Sequence, residues 1–222
     1  MVRLQKVDPR RVFLLPPALD PVFVETSCDR DSLPLPSDSR VLLTVGRLIS
    51  SEPGKGIDLV IKVFSDVLRV VPDLYYVIIG GGDLQPRLEE LAQESPARGR
   101  ILFTGKLNIE QLKHYYSRCD IFVMPSRQEG FGIVFLEAMV VGKPVIAGDY
   151  GGAPEVVQNG VTGFLVDLDN PEALTKRLIL LLGDEALSRK MGDAGRRRVE
   201  ENYTFSLFQE RLAHLLDNTT QP

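Results

Sequence analysis

From Arg40 onward, short β-branched runs alternate with amphipathic helical patterns, and this alternation limits the fold more than any other feature of the sequence. The stretches "VLLTVG" (41–46), "LYYVIIGGGD" (74–83), "RILFTGK" (100–106), "DIFVMPS" (120–126), "KPVIAG" (143–148) and "TGFLVD" (162–167) read as strands, most of them ending at glycine or another small residue. Helical segments lie between them. In "KGIDLVIKVFSDVLRVVP", Leu59, Val60, Val63, Phe64, Val67, Leu68 and Val71 recur at helical spacing, and Pro72 stops the run. "LQPRLEELAQES" and "NIEQLKHYYSRC" are shorter helices, the second with Asn108 placed as an N-cap. "APEVVQNG" is a short helix, and three helical patterns finish the chain: "NPEALTKRLILLLGD", "EALSRKMGDAGRRRVEEN" and "TFSLFQERLAHLLDN". The pattern predicts an α/β fold: a Rossmann-like, mostly parallel sheet of about six strands with helices on both faces. Ligands of such sheets bind beyond the carboxyl ends of the strands.

Residues 1–39 differ in kind. "LLPPALDPVF" and "DRDSLPLPSDSR" are rich in Pro, Ser and Asp and hold only short apolar pieces. They read as one short strand plus linker left from an interdomain connection, with residues 40–222 forming the domain itself. The chain has 26 Lys+Arg against 30 Asp+Glu, a net charge of −4, which argues against a nucleic-acid binder. Arg196, Arg197 and Arg198, beside Glu200 and Glu201, read as a solvated helix face. Cys28 and Cys119 are far apart, with no CxxC spacing, so the expected setting is reduced and cytoplasmic. The N-terminal apolar run is too short for a signal peptide, and "LILLL" is far too short to span a membrane.

The chemistry concentrates in "RQEGFGIVFLEAMVVGKPVIAG" (127–148). Gly130 and Gly132 flank Phe131 where strand gives way to helix. Glycines admit close approach of a ligand, and the first helical N–H groups, including those of Ile133 and Val134, carry partial positive charge suited to phosphate. Arg47 ends the first strand and Lys55 starts the first helix, so both are expected over the same sheet edge; Arg can clamp a diphosphate and Lys adds a point charge. Glu137 is expected about two turns into an otherwise apolar helix. A buried carboxylate needs partners, either ligand hydroxyls or a salt bridge. Glu129 lies on the rim just before that helix. His114 reads as a surface helix residue and His214 as part of the terminal helix. No strand end is read as an Asp-x-Asp metal motif.

"VGRL…KGIDLVIKVF", "IIGGGDLQPRLEELA", "EGFGIVFLE" and the closing "YTFSLFQERL" together resemble the C-terminal domain of retaining glycosyltransferases of the large family 4 group, which have two Rossmann-like domains (the GT-B architecture). The resemblance covers about Val41 to Leu212, and "EGFGIVFLE" matches the family's Glu, seven residues, Glu motif. It implies that Arg47 and Lys55 bind the donor diphosphate and stabilise the leaving group. Glu129 would touch donor-sugar hydroxyls, and Glu137 the ribose. Lys106 and Leu107 would flank the base. Gly46, Gly80, Gly82, Gly151 and Gly152 would border the donor pocket. The implied partner is a nucleotide-diphosphate sugar, bound with no cofactor and no metal. Two departures stand out: the loop "LISSEPG" before Lys55 is longer than the commonest family form, and no acceptor half with a catalytic His is present. The chain is therefore expected to bind donor and to transfer little without an N-terminal acceptor-binding domain, through which peripheral membrane contact would come. The acceptor is unassigned. The competing classes are an isomerase resembling nucleotide-sugar 2-epimerases, which lack this Arg/Lys and double-Glu arrangement, and a non-catalytic nucleotide-sugar-binding subunit. A dinucleotide dehydrogenase fits poorly, because "GGGD" lacks the GxGxxG helix opening.

Overall fold

The structure is a computed structural model that describes residues 12–23, 33–52 and 54–219. Six strands form one parallel sheet: β1 (Arg40–Val45), β2 (Leu74–Ile79), β3 (Ile101–Gly105), β4 (Ile121–Met124), β5 (Val145–Gly148) and β6 (Gly163–Val166). Their order is β3-β2-β1-β4-β5-β6. Strands step outward from β1 in both directions, so the connections reverse between β1 and β4. A crevice opens at that reversal, beyond the carboxyl ends. The predicted fold class is what the structure has.

The strands are buried on both sides and alternate strictly between two cores. Leu42, Ile121, Val123 and Ile146 enter one core, with Val60, Phe64 and Val67 of α1 (Ile57–Val70) and Leu174 and Leu178 of α6 (Pro171–Gly183). Val41, Leu43, Phe122, Met124, Val145 and Ala147 enter the other, with Tyr115 and Tyr116 of α3 (Ile109–Arg118) and Phe135, Leu136 and Met139 of α4 (Ile133–Val140). Each fully buried Val, Leu or Phe contributes roughly 1.5–3 kcal/mol. α2 (Gln85–Glu94) joins the α1 layer; α7 (Glu185–Asn202) packs on α4. α5 (Ala153–Val156) is a single turn, and α8 (Phe205–Thr219) ends the described chain.

Asn108 caps α3 as expected, in a capping box with Gln111. Two expectations change. Glu137 lies little more than one turn into α4, not two, because the helix begins only at Ile133 after Gly132 adopts a left-handed conformation (φ 95°). The arginine run of α7 is also more than a solvated face. Arg196 Nε donates to Val140 O at the C-terminus of α4 (3.1 Å), and Arg198 Nε to Val156 O at the C-terminus of α5 (2.8 Å). Cations placed there complement exposed carbonyls and the helix dipole; of the three, Arg197 stays in solvent.

Cys28 and most of the first 39 residues lie outside the described part. Within that part, no strand precedes β1; Pro21–Phe23 form a 3-10 turn, and Leu19 and Phe23 are buried in the α3–α4 core. Leu19 N–H donates to Tyr203 O (2.8 Å). Residues 36–39 are held by Arg118, whose Nη2 lies 2.7 Å from Ser39 O and 3.0 Å from Ser37 O. Asp120 fixes the start of β1, accepting from Val41 N–H (2.7 Å) and Arg40 Nη1 (2.9 Å). Arg118 is 9% exposed, so truncating it strands the buried Ser39 carbonyl. Arg118→Ala is expected to destabilise the fold by about 2–3 kcal/mol, read as a lower urea midpoint with unchanged slope; an unaltered midpoint would show that this clamp contributes nothing.

Candidate functional site

The loops at the β1/β4 reversal are locked together by backbone before any side chain acts. Arg127 N–H donates to Gly54 O (2.7 Å), and Gly152 N–H to Glu129 O (2.8 Å). Gly56, at φ 72°, lies so close to the β4 loop that a Cβ would sit 2.1 Å from Pro125 O. Gly151 and Gly152 abut Glu129 and Gly130 in the same way (2.4 and 2.3 Å from their carbonyl oxygens). On the other flank, a Cβ on Gly80 would meet Gly46 O at 1.8 Å, and one on Gly82 would meet Leu48 O at 2.2 Å. Most of the predicted glycines are therefore explained first by loop-on-loop contact. Gly130 has open space where a Cβ would go.

On this frame Lys55 Nζ donates to Glu129 Oε2 at 3.1 Å, with side chains only 17% and 13% exposed. The sequence proposed both residues for the site but did not foresee that they pair. Arg47, exposed, pairs with Glu52 of its own loop. Arg47 and Lys55 line one cavity of about 850 Å3 with Arg127 and Asp169; it extends between α1 and α2 and does not reach Glu129 or Glu137. Lys106 is exposed and crosses the Gly80–Gly82 loop, its stem 3.6 Å from where a Gly81 Cβ would lie. Leu107 packs into the α3–α4 core. The Phe131 ring packs edge-on against Tyr203 (5.7 Å between centroids), which leaves its backbone to the loop. Ile133 and Val134 open α4, and Ile133 is exposed. The N-cap Gly132 has no side chain to satisfy the first N–H groups of the helix.

The salt bridge offered as one partner of Glu137 is not formed among the described residues. Instead Tyr116 Oη donates to Glu137 Oε2 at 2.6 Å. Burial pushes the Glu137 carboxyl up; the Tyr116 hydrogen bond opposes the shift, and the nearby Asp20 charge adds to it. Tyr116, Asp20 and the Arg127 group were all missed. Tyr116 in "HYYSR" reads as a core aromatic, and nothing in sequence says which buried Tyr faces a carboxylate. Arg127 pairs with Asp169 and lies over the Tyr150 ring (5.4 Å), while Tyr150 Oη donates to Asp167 Oδ1 (2.9 Å). This corrects a further point: Asp167-Leu168-Asp169 is an Asp-x-Asp directly after β6. Its carboxylates are engaged by Arg127, by Tyr150 and by the Asp169 N–H, which with Tyr150 holds the Asp167 carboxyl below its usual range. Among the described residues no group of three or more His, Cys, Asp or Glu is placed to hold a metal ion, and no helix is long and apolar enough to cross a membrane. His114 is half-buried on α3, away from these loops in sequence. Burial pushes the Cys119 thiol up to about 12.

Residues 26–198 match the family described as Glycosyl transferases group 1. The chain belongs to that family. Among curated relatives of this glycosyltransferase domain, a GDP-mannose-dependent alpha-(1-6)-phosphatidylinositol monomannoside mannosyltransferase of Mycolicibacterium smegmatis is 37% identical over 186 residues, covering 81% of this chain and 48% of that protein. The chain thus spans about half the length of the curated relatives it matches. Among solved structures, sucrose-phosphate synthase from Thermosynechococcus elongatus superposes with a TM-score of 0.82 at 30% identity, covering 93% of this chain and 52% of that one. The C-terminal domain of a glycosyl transferase group 1 family protein from Francisella tularensis gives 0.68 at 26% identity, covering 77% and 89%. The fold matches one half-domain of the GT-B architecture.

Because its folded-state pKa is raised, ionised Glu137 costs stability that the protonated form does not. That cost is absent below the unfolded glutamate value, about 4.3, and grows as pH rises through the folded pKa. Glu137→Gln is therefore expected to raise the melting temperature at pH 7, with the gain vanishing near pH 4. Equal gains at both pH values would mean that the carboxylate charge is not the cause.

Proposed function

We propose that this domain binds the nucleotide-diphosphate sugar donor of a retaining hexosyl transfer at the β1/β4 reversal. The observation that carries the reading is the Lys55–Glu129 pair, held nearly buried where the strand order reverses and placed beside the uncapped N-terminus of α4. As the sugar–phosphate bond breaks with oxocarbenium-like character, negative charge grows on the diphosphate. Arg47, Lys55 and the N–H groups of Gly132, Ile133 and Val134 are the groups to receive it. Glu129 then orients donor-sugar hydroxyls while balancing Lys55. Glu137 takes the ribose, and Lys106 and Leu107 flank the base. Gly46, Gly80, Gly82, Gly130, Gly151 and Gly152 keep the rim low, with the Phe131 backbone between them. Two fixed cations and a helix terminus supply the charge that a metal supplies elsewhere, so we read the site as metal-independent. The similarity to GDP-mannose-dependent enzymes supports guanine as the base and mannose as the sugar. Acceptor groups belong to a further domain, the place of action is the cytoplasm, and this chain alone binds donor without appreciable transfer.

Calorimetric titration of this chain with GDP, UDP and ADP, with and without magnesium, tests the reading. GDP is expected to bind, indifferent to magnesium, and Arg47→Ala and Glu137→Ala are each expected to weaken it by about 1–3 kcal/mol, roughly 5- to 150-fold. Binding of UDP alone would correct the base. Binding of none, or unaltered affinity in both folded variants, would remove the site.

A further inference from the structure

The Tyr116–Glu137 pair has a feature that packing alone does not explain. Tyr116 is fully buried, stacked on Phe122 (5.7 Å, 27°) and met edge-on by Phe23 (5.9 Å, 82°), so its hydroxyl is fixed in direction. It donates to Glu137 Oε2 at 2.6 Å. Among the described residues no other protein group hydrogen-bonds to Glu137, and no buried side-chain oxygen lacks a partner. The second carboxylate oxygen therefore has no protein partner among the described residues and is not fully buried. An apolar helix has kept a carboxylate and tethered it by one oxygen to a buried phenol, with the other left without a protein partner among the described residues.

We infer that Tyr116 is a positioning residue for ribonucleotide selection: it holds Glu137 so that the carboxylate oxygen without a protein partner meets the vicinal diol of a ribose. The inference rests on the donor-binding reading above and deepens it. Tyr116 contacts no ligand itself. It fixes one rotamer of Glu137 before the nucleotide arrives, and a preordered acceptor loses less entropy on binding than a mobile one. Burial holds the phenol protonated well above the ordinary tyrosine range, so its proton is available to Glu137 at every working pH. A site built to hydrogen-bond a hydroxyl discriminates strongly against an analogue that lacks it, because the carboxylate is then left desolvated and unpaired.

The test pairs one protein hydroxyl with the ligand's hydroxyls. The full chain, as wild type, Tyr116→Phe and Glu137→Ala, is titrated with GDP and with 2′,3′-dideoxy-GDP, and each protein is melted to verify its fold. Wild type is expected to prefer GDP by roughly tenfold or more, about 1.4 kcal/mol per tenfold. Tyr116→Phe is expected to lose most of that preference while binding the dideoxy nucleotide as wild type does. If Tyr116→Phe weakens both nucleotides equally, the residue is structural and the inference fails. If it keeps the full preference while Glu137→Ala abolishes it, the ribose contact stands and Tyr116 has no part in it. If wild type shows no preference, the ribose assignment of Glu137 falls and the inference falls with it.

Discussion

The Lys55–Glu129 ion pair is the interaction on which the arrangement at the sheet edge depends. It joins the loop after β1 to the loop after β4, across the place where the strand order reverses. Both side chains are largely desolvated. Removing either leaves a nearly buried charge uncompensated, a loss on the order of 3–5 kcal/mol for buried pairs. The pair is supported by backbone contacts that bring in a third loop, since Glu129 O also accepts from Gly152 N–H. Three connections thus share one rigid rim. On the proposed reading, Lys55 is already balanced by Glu129, so the pair would orient an incoming diphosphate more than attract one. On that reading, the attraction would fall to exposed Arg47 and to the helix N-terminus.

Most of the fold was legible because each element carries its own signal. Strands buried on both faces appear as unbroken apolar runs, and α1 shows a clear helical repeat ended by Pro72. The boundaries that failed are those set by backbone conformation. The left-handed turn at Gly132 delays α4, so Glu137 comes one turn earlier in the helix than expected. The site was legible in its residue types and not in its pairings. Glu129, Lys55 and Arg47 stand out as charges at strand ends, whereas the Lys55–Glu129 bond spans a separation of 74 residues that only the sheet order closes. Tyr116, at 21 residues from Glu137, was hidden for the same reason. The three arginines of α7 misled because charge pattern reports a helix face and not what lies opposite it. Arg196 and Arg198 cap two other helices. The Asp-x-Asp after β6 was passed over at sequence level. The structure gives it a role within the protein, tied to Arg127 and Tyr150.

The satisfaction of α4 is unequal at its two ends, and this bears on function more than its apolar composition does. At the C-terminus, Val140 O receives Arg196, Ala138 O receives Lys143 N–H, and Met139 O receives Gly142 N–H. At the N-terminus, Gly132 supplies no side-chain cap. A Ser, Asp or Asn there would add about 1 kcal/mol of helix stability in an ordinary protein. Its oxygen would also occupy the position where an anion can bind, and φ 95° with a Cβ only 2.3 Å from the Phe135 ring excludes any such residue. Stability has therefore been supplied where the protein can close the helix on itself and withheld where closing it would fill the seat. Glu137 repeats the pattern within the same helix, with one oxygen held by Tyr116 and the other without a protein partner among the described residues. Both departures from the most stable choice leave a hydrogen-bonding group open, one a donor and one an acceptor. The nucleoside diphosphate of the proposed function would bring the complementary pair: phosphate oxygens for the helix N–H groups and ribose hydroxyls for the carboxylate.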